Sequence, residues 1–192
     1  MKVDNFKLIF LTGLALTVFS TTVMAQKEKK HKVIEQTLKS DTINVSADSL
    51  WEILREFDKV GEWTSTLDHS KGAGEVKFKG TTCNERVCQS KNTKLVEKLI
   101  MFDDDKKELA YELIEGAPGF VKLARNHWKV YEISPNQSVV QMNVTMHLSK
   151  FMGFLLGGAI TKTMIKKVRI VQNELKIYAE TGEVSEAKKA QE

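Results

Sequence analysis

Residues 138–148 and 151–180 show two different hydrophobic periods in direct succession, and this pair constrains the fold more than any other feature. In the first segment apolar and mostly polar residues alternate, which is typical of a strand with one buried face. In the second, apolar residues recur at steps of three and four, which predicts one long amphipathic helix. The apolar faces are Val140, Met142, Val144, Met146 and Leu148 in the strand, and Met164, Val168, Val171, Leu175 and Tyr178 in the helix.

The helix needs an apolar platform, and the rest of the chain can supply only a sheet. Two short helices are predicted after the first strand; Ser46 is placed to cap the first, and Gly61 lies where the second would end. Strands followed by a long covering helix predict an α+β domain with a helix-on-sheet core. The other strands are predicted at residues 33–45, 76–78, 81–89, 94–102, 108–115 and 125–133, separated by turns rich in Gly, Asn, Asp and Pro.

The block INVSADSLWEILREFDKVGEW at residues 43–63 resembles the opening of the START/Bet v1-like superfamily, also called SRPBCC or polyketide cyclase/dehydrase-like. Trp51 and Trp63 stand where that family has a Trp in its first helix and another at the end of its second. The similarity spans residues 33–180. It implies a helix-grip fold, in which a curved antiparallel sheet wraps around a long C-terminal helix. It also implies a deep apolar cavity and a hydrophobic small molecule or lipid as the partner.

Arg86 and Glu97 fall on neighbouring predicted strands and are the first candidates for a polar function. The resemblance implies that Glu97 faces the cavity, where a lone carboxylate would be costly. Arg86 is its natural partner. The pair has two interpretations: it orients a carbonyl or hydroxyl of the ligand, or it is an ion pair that serves only the fold.

The same resemblance makes a set of aromatic, methionine and charged residues the candidate lining of the cavity. Methionine suits irregular ligands because its side chain is unbranched and polarizable. Each of these residues also has a plain interpretation as ordinary core. The candidates are Trp63, Arg86, Glu97, Tyr111, Trp128, Met142, Met146, Phe154, Met164 and Val168.

Both ends of the chain are predicted to lie outside the domain of residues 33–180. Residues 1–25 have a basic start, an apolar run and small residues at Val23 and Ala25, which is the pattern of a secretory signal peptide. Residues 26–32 form a basic leader, either simply solvated or in weak contact with an anionic membrane surface. Residues 181–192 lack an apolar period and are predicted to be a disordered polar tail. We therefore expect export to the periplasm.

The net charge and the absence of known motifs limit the ligands and cofactors that the sequence predicts. The formal net charge of +4 is too small to argue for a nucleic-acid partner. No His or Cys pair has metal-ligand spacing and no nucleotide-binding motif occurs, so neither a metal nor a cofactor is predicted. Cys83 and Cys88 could form a disulfide if residues 84–87 turned, but would lie ~16 Å apart in a straight strand, which leaves the question open.

These features favour a binding protein for a hydrophobic small molecule or lipid held in an internal cavity. The alternative is a polyketide cyclase/dehydrase-like enzyme in which Arg86, Glu97 or Tyr111 acts as an acid–base group in the same cavity. A third hypothesis is a module whose cavity is filled by its own side chains, which a cavity smaller than ~300 Å³ would favour.

Overall fold

Residues 31–191, which a computed structural model describes, form a seven-stranded antiparallel sheet with one long helix lying on it. The elements are β1 (Lys32–Lys39), α1 (Ala47–Arg55), a 3₁₀ turn (Phe57–Lys59), α2 (Val60–Trp63), β2 (His69–Ala73), β3 (Glu85–Ser90), β4 (Thr93–Asp103), β5 (Glu108–Glu115), β6 (Val121–Ser134), β7 (Gln137–Leu148), α3 (Lys150–Thr181) and α4 (Glu186–Lys189). The strand order β1-β7-β6-β5-β4-β3-β2 makes the first and last strands neighbours. The predicted helix-grip architecture is confirmed.

The two periods at the end of the chain define the core of this architecture. On β7, Val140, Met142 and Leu148 are almost fully buried, and on α3 Val168 and Leu175 are buried as well. The apolar face of β7 and the apolar stripe of α3 therefore face each other, as the sequence predicts. No helix within residues 31–191 is both long and apolar enough to span a bilayer.

β1 is shorter than predicted, because a serine side chain ends its pairing with β7. The backbone N–H of Ser40 donates to the carbonyl of Val140, but the N–H of Val140 bonds to the Ser40 hydroxyl at 3.1 Å. A side-chain oxygen thus replaces a backbone carbonyl, and the strand ladder stops. Pairing returns only at an isolated bridge between Ile43 and Ser138.

The strand predicted at residues 76–78 was wrong, and the edge strand β2 lies earlier in the chain. β2 includes Gly72, which the sequence suggests is part of a turn, and its side chains are at most half-buried. What fixes β2 is the approach of α2. A Cβ on Gly61 would lie 2.4 Å from the Ser70 nitrogen, and the Gly61 N–H donates to the Ser70 hydroxyl at 2.8 Å. The apolar pattern of the β2 residues does not reveal this contact, so the sequence does not predict the strand.

α3 is fixed along one side of the sheet, over β1 and β7. Near its start, a Cβ on Gly153 would lie 2.3 Å from the Cβ of Lys32, so the helix backbone rests directly on β1. Further along, the Gln172 side chain donates to the carbonyl of Leu38 at 2.9 Å. Arg169 donates to the carbonyl of the next residue on β1, Lys39. α3 therefore cannot move towards the centre of the sheet without breaking these contacts.

The prediction of a disordered tail at residues 181–192 was wrong for the described residues up to 191. The hydroxyl of Ser185 donates to the buried carboxylate of Glu174 at 2.8 Å and also caps α4. The ammonium group of Lys188 is buried and donates to the carbonyls of Leu67 and Asp68 at 2.9 and 2.8 Å. The segment is held by polar groups, which a search for apolar periodicity does not detect.

We predict that Lys188→Ala lowers the free energy of unfolding by about 1–3 kcal/mol, because the carbonyls of Leu67 and Asp68 lose a charged donor and the packing of a buried side chain is lost. Lys189→Ala is the matched control: it is the neighbouring residue of the same type, it is exposed, and its change should be within about 0.5 kcal/mol. Urea denaturation followed by circular dichroism measures both. Equal stabilities of the two variants would contradict the ordered tail.

Candidate ligand-binding cavity

A cavity of about 510 Å³ lies between α3 and the part of the sheet that the helix leaves uncovered. Its floor comes from β4 to β7 and its wall from successive turns of α3. The volume is within the usual range of small-molecule sites, roughly 300–1,000 Å³. Its lining residues are Glu97, Tyr111, Asn126, Trp128, Met142, Val144, Met146, Leu156, Ala159, Ile160, Thr163, Met164, Lys167, Val168 and Val171.

Most of the predicted site residues lie on this cavity. β7 contributes Met142 and Met146, and α3 contributes Met164 and Val168, which are one helical turn apart. The central strands contribute the remainder of the predicted lining: Glu97 from β4, Tyr111 from β5 and Trp128 from β6.

Three predicted site residues lie elsewhere. Trp63 is buried but does not contribute to the cavity lining. Phe154 is 87% exposed, because Gly153 and Gly157 are the positions of these first turns that face the protein. Arg86 lies behind Glu97 and lines a smaller side cavity of about 170 Å³. The two cavities share Glu97, Tyr111, Trp128, Lys167 and Val171.

Arg86 and Glu97 form the predicted ion pair at the inner end of the cavity. They are directly opposite each other on β3 and β4, and Arg86 Nε donates to Glu97 Oε2 at 2.6 Å. Arg86 Nη1 also donates to the carbonyl of Phe57 at 2.8 Å. The guanidinium lies between two aromatic rings, 4.1 Å from the centre of Phe57 and 4.6 Å from that of Tyr111. These contacts explain how a buried guanidinium is tolerated.

Protonation at this end of the cavity follows from burial and from the ion pair. Burial is the largest single effect and opposes the charge on Arg86, but Glu97, Tyr111 and Cys88 together outweigh it, and the pKa of Arg86 is raised. Burial, with the negative charge of Glu97, raises the pKa of Tyr111, so its hydroxyl stays protonated at neutral pH. Burial likewise raises the pKa of the Cys88 thiol to about 12, against the opposing charge of Arg86. Arg86 therefore stays charged, and Tyr111 and Cys88 stay neutral, across the physiological range of pH.

Cys83 and Cys88 are both buried and both free. Cys88 is part of β3, and Cys83 precedes that strand. The open question from the sequence is thus answered in favour of two thiols. Within residues 31–191, no group of three or more His, Cys, Asp or Glu side chains is placed to hold a metal ion.

Two buried polar atoms on the central strand β6 have no hydrogen-bond partner among residues 31–191. They are the acceptor Asn126 Oδ1 and the donor Trp128 Nε1, and both residues line the cavity. Asn126 uses its amide nitrogen to donate to the Tyr111 hydroxyl at 3.2 Å. An unpartnered buried polar atom is unfavourable, but neither atom is exposed to the cavity, so a ligand could bond to them only if the two side chains turned towards it.

Sequence reasoning missed Asn126 and part of the helical wall. Asn126 lies two residues before Trp128, so strand alternation puts both on one face, and this signal was available. Val171 belongs to the stripe that the sequence predicts on α3, and Ile160, which was missed, extends that stripe by one turn towards the start of the helix. Lys167 and Thr163 do not belong to it, because they are exposed residues at the edge of the cavity, where a mouth admits polar side chains.

The fold and the cavity define a helix-grip protein of the Bet v1/SRPBCC class. Residues 35–180 match the model of the family described as "Polyketide cyclase / dehydrase and lipid transport". Since this match covers well over half of the chain, the chain belongs to that family. Among curated proteins, none has a sequence that matches this chain.

Solved structures share the fold at low sequence identity. XoxI from Bacillus cereus has a TM-score of 0.62 and 17% identity, over 74% of this chain and 92% of its own. Ara h 8.0201 has a TM-score of 0.60 and 12% identity, over 77% of this chain and 97% of its own. The Zhui aromatase/cyclase from Streptomyces sp. R1128 has a TM-score of 0.55 and 12% identity, over 81% and 100%. At these identities the likeness establishes the fold and not the activity.

We predict that Arg86→Met lowers the free energy of unfolding by about 3–5 kcal/mol, because Glu97 is left buried without its counter-charge. The double variant Arg86→Met with Glu97→Leu should recover much of that loss. The control is Arg125→Met: Arg125 pairs with Glu112 at 2.8 Å across neighbouring strands but is half exposed, so we expect a loss of about 1 kcal/mol or less. Chemical denaturation of five proteins gives the comparison: the wild type, Arg86→Met, Glu97→Leu, the double variant and the control. Additive effects of the two substitutions in the pair would contradict the coupling.

Proposed function

We propose that the protein binds a hydrophobic small molecule or lipid in the cavity between α3 and the sheet. The observation that supports this most directly is an open cavity of about 510 Å³ whose walls are largely apolar. Two residues of its lining, Asn126 and Trp128, each have an unpartnered polar atom behind the cavity surface. Side chains of residues 31–191 do not fill this space, which argues against the hypothesis of a packed, purely structural module. Membership of a family described by cyclase, dehydrase and lipid transport functions is consistent with such a ligand.

The affinity would come from apolar contact, and the orientation from the polar atoms of β6. Each 100 Å² of apolar ligand surface removed from water contributes about 2.5 kcal/mol. If the two side chains turn towards the cavity, a ligand hydroxyl can donate to Asn126 Oδ1, and a hydroxyl or carbonyl oxygen can accept from Trp128 Nε1. The ligand we propose is therefore mainly apolar, with a neutral oxygen function at the buried end.

The alternative, a cyclase-type enzyme, is less well supported by the same geometry. Arg86 is already bound to Glu97 and to the Phe57 carbonyl, which commits both charged groups to each other and to the fold. The Tyr111 hydroxyl, with its pKa raised by burial, can donate a hydrogen bond but is a poor base at neutral pH. Binding requires none of these groups to change its protonation, and for that reason we favour it.

We further propose that the protein acts outside the cytoplasm, in the periplasm. The support is the predicted signal peptide of residues 1–25, which lies outside the described residues. The predicted leader of residues 26–32 lies outside them too, except for its last two residues.

Export can be tested on the protein that cells accumulate. Because the pattern Val23-Met24-Ala25 has small residues at the two positions that signal peptidase reads, we predict cleavage after Ala25. Mass analysis of the protein from a periplasmic fraction should find Gln26 as the first residue. An uncleaved chain that begins with Met1 would reject the export proposal while leaving the cavity proposal intact.

Ligand binding can be tested with a fluorescent fatty acid as the probe and a substitution that fills the cavity. Met142 lines the cavity, so Met142→Trp adds volume where space exists; we expect at least about tenfold weaker binding with the cooperative unfolding transition retained.

The matched control is Val140→Trp, two residues earlier on the same face of β7. Val140 is fully buried and does not line the cavity, so the added volume should instead destabilise the fold by about 1–3 kcal/mol or more. Saturable probe binding that is equally strong in wild type and Met142→Trp would place the probe elsewhere. Equal destabilisation by both substitutions would mean that Met142 is ordinary core.

A further inference from the structure

The first two turns of α3 expose a contiguous apolar surface. Phe151 is 71% exposed, Phe154 87%, Leu155 56% and Leu156 41%. Large apolar side chains exposed singly are common, but four within six consecutive residues form a patch that water does not favour. We call these four residues the α3 apolar patch. No contact within residues 31–191 buries it.

The patch is fixed in its outward orientation by the way in which α3 rests on β1. Gly153 and Gly157 are the buried positions of these turns, and Gly153 lies against Lys32 with no room for a Cβ. Since residues on a helix are separated by about 100° each, seating Gly153 against the sheet directs Phe151, Phe154 and Leu155 away from it. The outward orientation of the patch is therefore part of the packing of the fold.

Basic groups surround the patch. Beside Phe154 is a groove of about 480 Å³ that is also lined by His31, Lys32 and Lys150. Along the same outer face of α3, residues 151, 155, 162 and 166 follow helical spacing, so Lys162 and Lys166 continue the surface that begins with the patch. No Asp or Glu occurs anywhere between Ser134 and Asn173 in the sequence.

We propose that the α3 apolar patch docks onto the surface of an anionic lipid bilayer. Phenylalanine and leucine side chains would enter the boundary between head groups and acyl chains, while the surrounding lysines contact lipid phosphates. A partner protein with an acidic surface would pair with the lysines, but it would bury the phenylalanine side chains only if it also had an apolar pocket that fits them. A bilayer satisfies both requirements because it deforms around side chains.

One patch residue connects this surface to the cavity. Leu156 is exposed and also lines the cavity between α3 and the sheet, so the mouth of the cavity opens beside the patch. A protein docked through the patch would present this mouth to the bilayer, and an apolar ligand could pass between them with little exposure to water. Docking itself does not depend on the proposed ligand, so it can be tested separately.

The test is flotation of the protein, in the form in which cells accumulate it, with vesicles of phosphatidylcholine containing phosphatidylglycerol. Phe154→Ser should weaken binding about tenfold, because one large apolar side chain is lost from the interface. Lys162→Gln with Lys166→Gln should weaken it roughly thirtyfold, because each lysine near an anionic surface raises the affinity by roughly fivefold. The double change should also remove much of the salt dependence of binding. Vesicles of phosphatidylcholine alone should bind the wild type much more weakly.

Two controls remove a similar group from the opposite end of the sheet. Ile133→Ser removes an exposed apolar side chain near the end of β6, about 40 Å along the strand from the residue that pairs with Leu148 beside α3. Lys77→Gln with Lys79→Gln removes two exposed lysines from the segment before β3. Both controls should float like the wild type.

Either of two outcomes of the flotation experiment would overturn the proposal: the wild type does not float, or the controls lose as much binding as the patch variants. A further contrary result is self-association without vesicle binding, seen by light scattering as dependent on concentration and abolished by Phe154→Ser. The patch would then be an interface between copies of the chain. Loss of fatty-acid binding in the cavity would leave the outcome of the flotation experiment unaffected.

Discussion

The position of α3 on one side of the sheet is the constraint on which the other features depend. The helix rests on β1 at Gly153 and is held further along by hydrogen bonds from Arg169 and Gln172 to β1 carbonyls. Polar anchors of this kind are directional, so they fix the helix at one place where apolar contact alone would let it slide. With the helix fixed over β1 and β7, the apolar faces of the central strands remain uncovered. The cavity is a consequence of that geometry.

Apart from Lys167 at the mouth, the charge in the cavity lies at its inner end, where it stabilises the walls. Arg86 connects β3, through Glu97, to β4 and, through the Phe57 carbonyl, to the turn between α1 and α2. Two aromatic rings cover its flat faces. A site with its charges satisfied in this way can accept an apolar molecule without exposing an ion to it. The remaining polar side chains of β6 in the lining, Asn126 and Trp128, are neutral, so their hydrogen-bonding capacity does not depend on pH.

The sequence predicted the features that arise from apolar periodicity. The alternation on β7 and the stripe on α3 are properties of single elements, and they gave the fold, the helix and most of the cavity lining. Prediction from the sequence failed where a contact between two elements decides which residues are buried. The period of α3 does not reveal that Gly153 is the residue seated on β1, so Phe154 was assigned to the cavity and is instead exposed. The ordered C-terminal segment was missed because buried polar groups hold it: Ser185 and Lys188 bond to Glu174 and to two carbonyls.

The close contact at Gly153 also determines how the cavity can vary between related sequences. Any side chain at this position would meet the Cβ of Lys32 at 2.3 Å and would have to lift the start of α3 from the sheet. The wall formed by Leu156, Ala159 and Ile160 belongs to the same rigid helix, so it would move outwards with it. The size of the cavity is thus determined partly by a single hydrogen atom outside it. Natural variation at residue 153 would then change the cavity volume without altering any residue of the cavity lining.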